Sequence, residues 1–186
     1  NLPDTQMGNR KLTMQQLLET ATGLGLELLG TTDLSPLEEG RKWLQRWQEW
    51  GYAGEMAYML RDSGLLSSPL GLAPWGRSAV SFGIGYDRRP RGEVKPGHGR
   101  IARYAWGLDY HRLVRDRLQS LVSAVERNSG RRVRCRIFCD AVPLLERALG
   151  MRAGLGFTGK NSLLIRPGPG SFLFVAEILW DLEVEM

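Results

Sequence analysis

Asn128-Ser129-Gly130-Arg131-Arg132-Val133-Arg134-Cys135-Arg136-Ile137-Phe138-Cys139-Asp140 carries the fold assignment. Asn-Ser-Gly is a helix stop, because glycine adopts the left-handed conformation that closes a last turn without strain. Val133, Cys135, Ile137 and Cys139 then occupy every second position, mostly with arginines between them, which is the period of a strand. Just upstream, Val114, Leu118, Leu121, Val122 and Val125 recur at helical spacing and predict a helix over 108–127. Helix therefore passes directly into strand, and similar alternation runs through the chain. Thr13 with Gln16 forms a capping box for a helix to Thr22, and Leu26–Thr32 reads as a strand. Ser35-Pro36-Leu37-Glu38 predicts a helix to Trp50, with Ser35 as its cap. Gly54–Arg61 reads as a short helix and 62–77 as a loop. Val80, Phe82, Ile84 and Tyr86 predict a strand with one buried face. Residues 87–100 form a basic loop, and 101–105 read as extended. Pro143 opens a short helix to Gly150, and Gly154–Asn161 is a glycine-rich turn. Ser162–Arg166 and Phe172–Leu179 read as a hairpin across Pro167–Ser171. The expected class is α+β, a mixed sheet flanked by helices.

The chain has 186 residues, of which 42% are hydrophobic and 24% charged. These are ordinary globular fractions and exclude wholesale disorder. With no repeat or linker, 1–186 reads as a single domain with 1–10 frayed. No apolar run reaches the roughly 18–20 residues of a membrane span, so no membrane association is expected. Asn1-Leu2-Pro3-Asp4 is neither a signal peptide nor an initiator methionine, as expected of a processed product or an excised piece.

Charge narrows the partners. The net charge of +5 comes with clusters at Arg88, Arg89, Arg91, Lys95 and Arg100, at Arg112, Arg115 and Arg117, and at Arg131, Arg132, Arg134 and Arg136. Each is a solvated face or a polyanion contact. Cys135 and Cys139 are the two cysteines. Four strand positions separate them by about 13 Å, too far for a disulfide, so they read as small core residues. Two cysteines cannot hold an iron–sulfur cluster, and a reducing, cytoplasmic location is expected.

Several motifs bear on chemistry. Gly154-Leu155-Gly156-Phe157-Thr158-Gly159-Lys160 has phosphate-loop spacing, but Asn161 stands where Ser or Thr would bind magnesium, and the turn follows a helix instead of a strand. Its glycines still admit a ligand to the backbone, and Lys160 can reach an anion. Asp109-Tyr110-His111 begins like the D-x-H-x-x-G corrinoid motif, yet Val114 replaces the glycine, so His111 reads as a hydrogen-bonding helix residue. Trp43, Trp47 and Trp50 share one helix face, as a packed stripe or as a lid over a planar ligand. Asp140 ends a strand. It is either a helix cap or, in a desolvated pocket, a proton donor near neutral pH, with Glu146 and Arg147 able to pair with charges around it.

Ala102-Arg103-Tyr104-Ala105 with Gly107–His111, Asp140 with Pro143–Arg147, Ala153–Gly156 with Gly159–Leu164, and Gly170-Ser171 with Glu177–Leu179 occur in an order that resembles the epoxyqueuosine reductases. Gly54–Met59 resembles another family segment. The resemblance implies a nitroreductase-like sandwich that binds cobalamin and reduces epoxyqueuosine to queuosine in the tRNA anticodon loop. It further implies that cob(I)alamin acts on the substrate while Asp140 supplies the proton. Tyr58, Arg103, Tyr104, Asp140, Lys160, Asn161, Ser162 and Leu164 would line the cofactor. Full-length family members continue into a ferredoxin-like segment with two [4Fe–4S] clusters, whose ligands this chain lacks. The chain alone is therefore expected to be inactive without an external electron donor or a cluster-bearing domain, and to be a monomer. Ala141-Val142 and Phe157-Thr158 depart from the family pattern. The alternatives are a corrinoid-binding module without catalysis and a basic tRNA-binding module.

Overall fold

The computed structural model describes residues 11–26, 28–60, 62–86, 93–140 and 143–185. Its centre is a four-stranded antiparallel sheet in the order β2 (Leu28–Thr32), β3 (Ser78–Gly85), β7 (Leu173–Trp180), β4 (Cys135–Phe138). Alternation sorts its side chains onto two faces. Val80, Phe82, Ile84, Ala176, Ile178 and Trp180 point to one face. There they meet Leu17 and Ala21 of α1 (Met14–Thr22) and the apolar stripe of α5 (Tyr110–Ser129). Ala79, Leu179 and Phe138 point to the other, against Leu149 of α6 (Glu146–Arg152) and against Leu34, Leu37 and Leu144. The α+β class holds. Among the described residues, parallel pairing is confined to β1 (Lys11–Thr13) and β8 (Glu183–Glu185).

Local signals fix several ends. Thr13 and Gln16 make the reciprocal capping box that starts α1, and Gly130 closes α5 at φ 66°. Other expectations yield to tertiary contacts. Ser35 does not cap α2 (Glu38–Glu49), which begins after Leu37. The Arg152 guanidinium donates to the Ser35 carbonyl at 2.8 Å and hydroxyl at 2.9 Å, holding Ser35 as a cross-chain anchor. The tryptophans are not a packed stripe, since Trp43 and Trp50 are 62% and 58% exposed. Gly54–Arg61 contributes only a 3₁₀ turn at Ala57–Leu60, with Arg61 outside the described residues. The expected loop 62–77 contains α3 (Ser63–Leu66) and α4 (Pro69–Leu72), capped by the Asp62 and Ser68 side chains. Lying between β2 and β7, β3 is buried on both faces, not one. Residues 103–105 form a 3₁₀ turn instead of an extended segment. The Trp106 indole N–H donates to the Ile101 carbonyl at 2.7 Å and closes it.

The expected hairpin shrinks to one antiparallel bridge between Arg166 and Gly170. β6 (Leu164–Ile165) pairs with β5 (Phe157–Thr158), not with β7. Gly156 permits this pairing, because a Cβ there would stand 2.1 Å from the Ile165 carbonyl oxygen. The arginine clusters are partly structural. Arg134 lies over Trp75, and Arg136 lies over Phe138 and donates to the Leu72 carbonyl. Arg88, Arg89 and Arg91 fall outside the described residues. Cys135 and Cys139 are both free, and Cys139 is buried. Among the described residues no helix is long and apolar enough to cross a membrane.

Candidate active site

β4 delivers Asp140 to the end of the sheet, where the first turns of α5 and α6 meet. Asp140 is not a helix cap, since α6 starts at Glu146 after Leu145. Its φ is 54°, a left-handed conformation that non-glycine residues adopt only when something holds it. Two elements supply the hold. From α5, the Tyr110 hydroxyl donates to Asp140 Oδ2, with His111 Nε2 at 3.9 Å from the same oxygen. From α6, Glu146 Oε1 accepts the Asp140 backbone N–H at 2.9 Å.

Tyr110 is itself locked in place. Its ring stacks on Phe174 of β7 at 4.0 Å and 7°, and on His111 at 4.0 Å. Asp109 accepts the His111 backbone N–H and lies 2.8 Å from its Nδ1, which makes His111 the hydrogen-bonding helix residue expected. Hydrogen bonding to His111 lowers the Asp109 pKa. Burial, followed by the hydrogen bond to Asp140, pushes the Tyr110 phenol well above its usual range, so it stays a donor.

Behind the aspartate lies a group of acids. Burial, then the charge of Asp140, pushes Glu146 up to about 8. Glu177 on β7 is 0% exposed, and neither carboxyl oxygen has a hydrogen-bond partner among the described residues. Burial raises its pKa far above the carboxylate range, with Glu146 and Asp140 adding to the shift, so Glu177 is a neutral acid. The Cys139 thiol is raised to about 12, mainly by burial, and is therefore no nucleophile at neutral pH. The row across the sheet at this level is Gly30, Ser81, Glu177, Phe138. A Cβ on Gly30 would strike the Ala153 carbonyl at 1.9 Å, so the glycine lets the end of α6 lie directly on the sheet. No group of three metal-ligating side chains occurs among the described residues.

The glycine turn joins this centre through α6. Arg147, next to Glu146, donates to the Ser162 carbonyl, and Ser162 is, among the described residues, the other non-glycine residue with positive φ, at 58°. Asn161 Oδ1 accepts the Leu163 N–H at 3.2 Å. Lys160, Asn161 and Ser162 are exposed on the turn, whereas the Leu164 side chain is buried. No helix follows the turn, so it is not a phosphate loop. Tyr104 meets Tyr110 edge to face at 6.5 Å, and Arg103 lies over Phe172 at 4.7 Å. Asp140, Tyr104, Arg103 and Ser162 thus belong to one connected network. Tyr58 is outside it, on the 3₁₀ turn Ala57–Leu60, with its hydroxyl 3.5 Å from the Met56 sulfur.

Sequence reasoning assigned no role to Tyr110 or Glu177. Glu177 did leave a signal, as a carboxylate within the apolar run Phe172–Leu179.

The fold is an α+β domain with solved structural counterparts. Residues 67–141 match the family model described as epoxyqueuosine reductase QueG, DUF1730. In sequence and fold the chain is similar to epoxyqueuosine reductases. It is 35% identical to that of Cyclobacterium marinum, covering 91% of this chain and 54% of the relative. With that of Escherichia coli it shares 36% identity over 91% of this chain and 45% of the relative. The chain thus spans about half the length of these curated relatives. A solved epoxyqueuosine reductase bound to an epoxyqueuosine-modified tRNA-Tyr stem loop superposes with a TM-score of 0.83 at 26% identity, covering 92% of this chain and 46% of that one. The Bacillus subtilis enzyme, solved with its catalytic aspartate loop swung out of the active site, gives 0.78 at 25% identity, covering 92% and 47%.

Proposed function

We propose that this chain is the cobalamin- and substrate-binding part of an epoxyqueuosine reductase, with Asp140 as its proton donor. The observation that carries this reading is a solvent-facing acid held at φ 54° by Tyr110 and Glu146, beside an exposed glycine turn. The surroundings suit an apolar macrocycle fringed with amides and bearing a phosphate. Phe157, Leu163 and Tyr104 are 55%, 41% and 52% exposed and offer apolar faces. Lys160 offers a cation, and Asn161 and Ser162 offer polar side chains. Arg103, Tyr104, Lys160, Asn161 and Ser162 would hold cobalamin, with Leu164 contributing backbone; Tyr58 would join them from its separate turn.

Bound cobalamin would supply the electrons of the reduction. Reducing an epoxide to an alkene takes two electrons and two protons and releases the oxygen as water. Asp140 would relay one proton to the departing oxygen. Tyr110, kept protonated by its burial, would stabilise the carboxylate left behind through its hydroxyl. A tRNA anticodon stem loop is the substrate this reading assigns, its phosphates met by exposed arginines and Lys160. Turnover would need electrons from a cluster-bearing segment or partner. A cytoplasmic monomer of one domain is the matching setting.

Two measurements test this. Titration of the purified chain with cobalamin, followed by visible absorbance, should give saturable binding. Asp140→Asn, in a chain joined to a cluster-bearing segment, should abolish turnover and leave cobalamin bound. Unchanged turnover removes Asp140 from the chemistry.

A further inference from the structure

A left-handed aspartate at the end of a strand does not hold itself. The turn that carries Asp140 is tied back on one side by the first turn of α6. There Glu146 Oε1 accepts the Asp140 backbone N–H at 2.9 Å, and the neighbouring Asp140 carboxyl raises the Glu146 pKa. That first turn is anchored independently of Asp140. The Leu145 N–H donates to the Leu66 carbonyl at 3.1 Å, and Arg147 donates to the Ser162 carbonyl. Leu149 and Gly150 behind it are buried.

We propose that Glu146 is the positioning residue of the acid: a two-point clamp, on backbone and carboxyl, that keeps Asp140 turned outward beside Tyr110. The inference rests on the reading of Asp140 as proton donor and adds the residue that presents it. The clamp depends on a proton. Neutral Glu146 can donate its O–H to Asp140 while still accepting the backbone N–H. Ionised Glu146 keeps only the second bond and sets two negative charges against each other. The titratable and charged groups around it are Asp140 on the turn, Glu177 from β7, Arg147 on its own helix, Cys139 at the end of β4 and Tyr110 from α5, with His111 3.9 Å from Asp140. Burial and Asp140 raise its pKa, whereas Arg147 and the Asp140 N–H lower it, for a value of about 8. The clamp is therefore complete below that pH and loosens above it.

The test follows the Asp140 backbone amide by NMR in the ¹⁵N-labelled chain between pH 6 and 9.5. The wild-type resonance should move with a midpoint near 8. Glu146→Ala removes both bonds, so it should move the resonance away from both wild-type limits and abolish the titration near 8. Glu146→Gln can both accept and donate without titrating, so it should hold the low-pH position throughout. An amide that does not move in Glu146→Ala, or one that still titrates near 8 in Glu146→Gln, overturns the clamp. If the alanine variant does not fold, the glutamine profile decides alone. In the chain joined to a cluster-bearing segment, Glu146→Ala should lower kcat by about 10²-fold, with glutamine restoring most of it. Full turnover by Asp140→Asn would remove the proton-donor reading while leaving the amide result intact.

Discussion

The two faces of the central sheet are built from alternate residues of the same strands and do opposite things. Toward α1 and α5, the inward positions of β3 and β7 are apolar or aromatic except Ser78, whose hydroxyl is hydrogen-bonded to Trp180 and Leu182, and Phe82, Ala176, Ile178 and Trp180 are fully buried. Toward α6, the same strands supply Ser81 and Glu177, both 0% exposed and both with side-chain oxygens unpartnered among the described residues. The first face maximises burial of apolar surface. The second gives up part of that gain to keep neutral acids beside Asp140. A sheet closed on one face by a dry core can carry polar strain on the other.

The largest effect should come from damaging the dry face. Phe82→Ala removes a ring buried between sheet and α5 and should cost about 3–5 kcal/mol by chemical denaturation. An equal loss at an exposed residue of α6 would break the contrast. Gly30→Val comes next, placing carbon where the Ala153 carbonyl now sits. It should cost about 1–3 kcal/mol and also disturb the Asp140 amide, because α6 must lift and carry Glu146 with it.

Glu177→Gln sharpens the comparison through pH. Glu146 is raised from an ordinary 4.5 to about 8, and Glu177 is raised as well. The Glu146 contribution is therefore complete below about 4.5, where the unfolded chain is also protonated, and is lost as pH rises through 8; the raised pKa of Glu177 acts in the same direction. Thermal melts should show wild-type stability falling over that window. Glu177→Gln should flatten the fall and be the more stable protein at pH 8.5. A wild-type melt independent of pH would contradict neutral acids on this face. Smallest of all, Trp43→Ala should change stability by no more than about 0.5 kcal/mol, because the ring lies in solvent. A larger loss on denaturation would restore the packed-stripe reading.

Much of the scaffold was legible in advance. The capping box at Thr13, the stop at Gly130, the stripe of α5 and the alternation of β4 are short-range patterns, decided within one or two turns of chain. Asp140 was legible as an acid at a strand end, and Glu146 and Arg147 as its charged neighbours. Ser35 was misread because Arg152, 117 residues away, claims it. The hairpin was misread because strand partners are chosen by which backbones can touch, and Gly156 brings β5, not β7, against β6.

Residue order alone thus settled the longer helices and strands, such as α1, α5, β3, β4 and β7, since amphipathic periodicity and end caps are local. It also singled out the acid. Packing alone decided what that acid can do. The left-handed backbone of Asp140, the phenol that bonds it and the neutral carboxyls behind it come from separate elements, Tyr110, Glu146 and Glu177. A proton's affinity depends on burial and neighbouring charge, and neither exists until those elements meet.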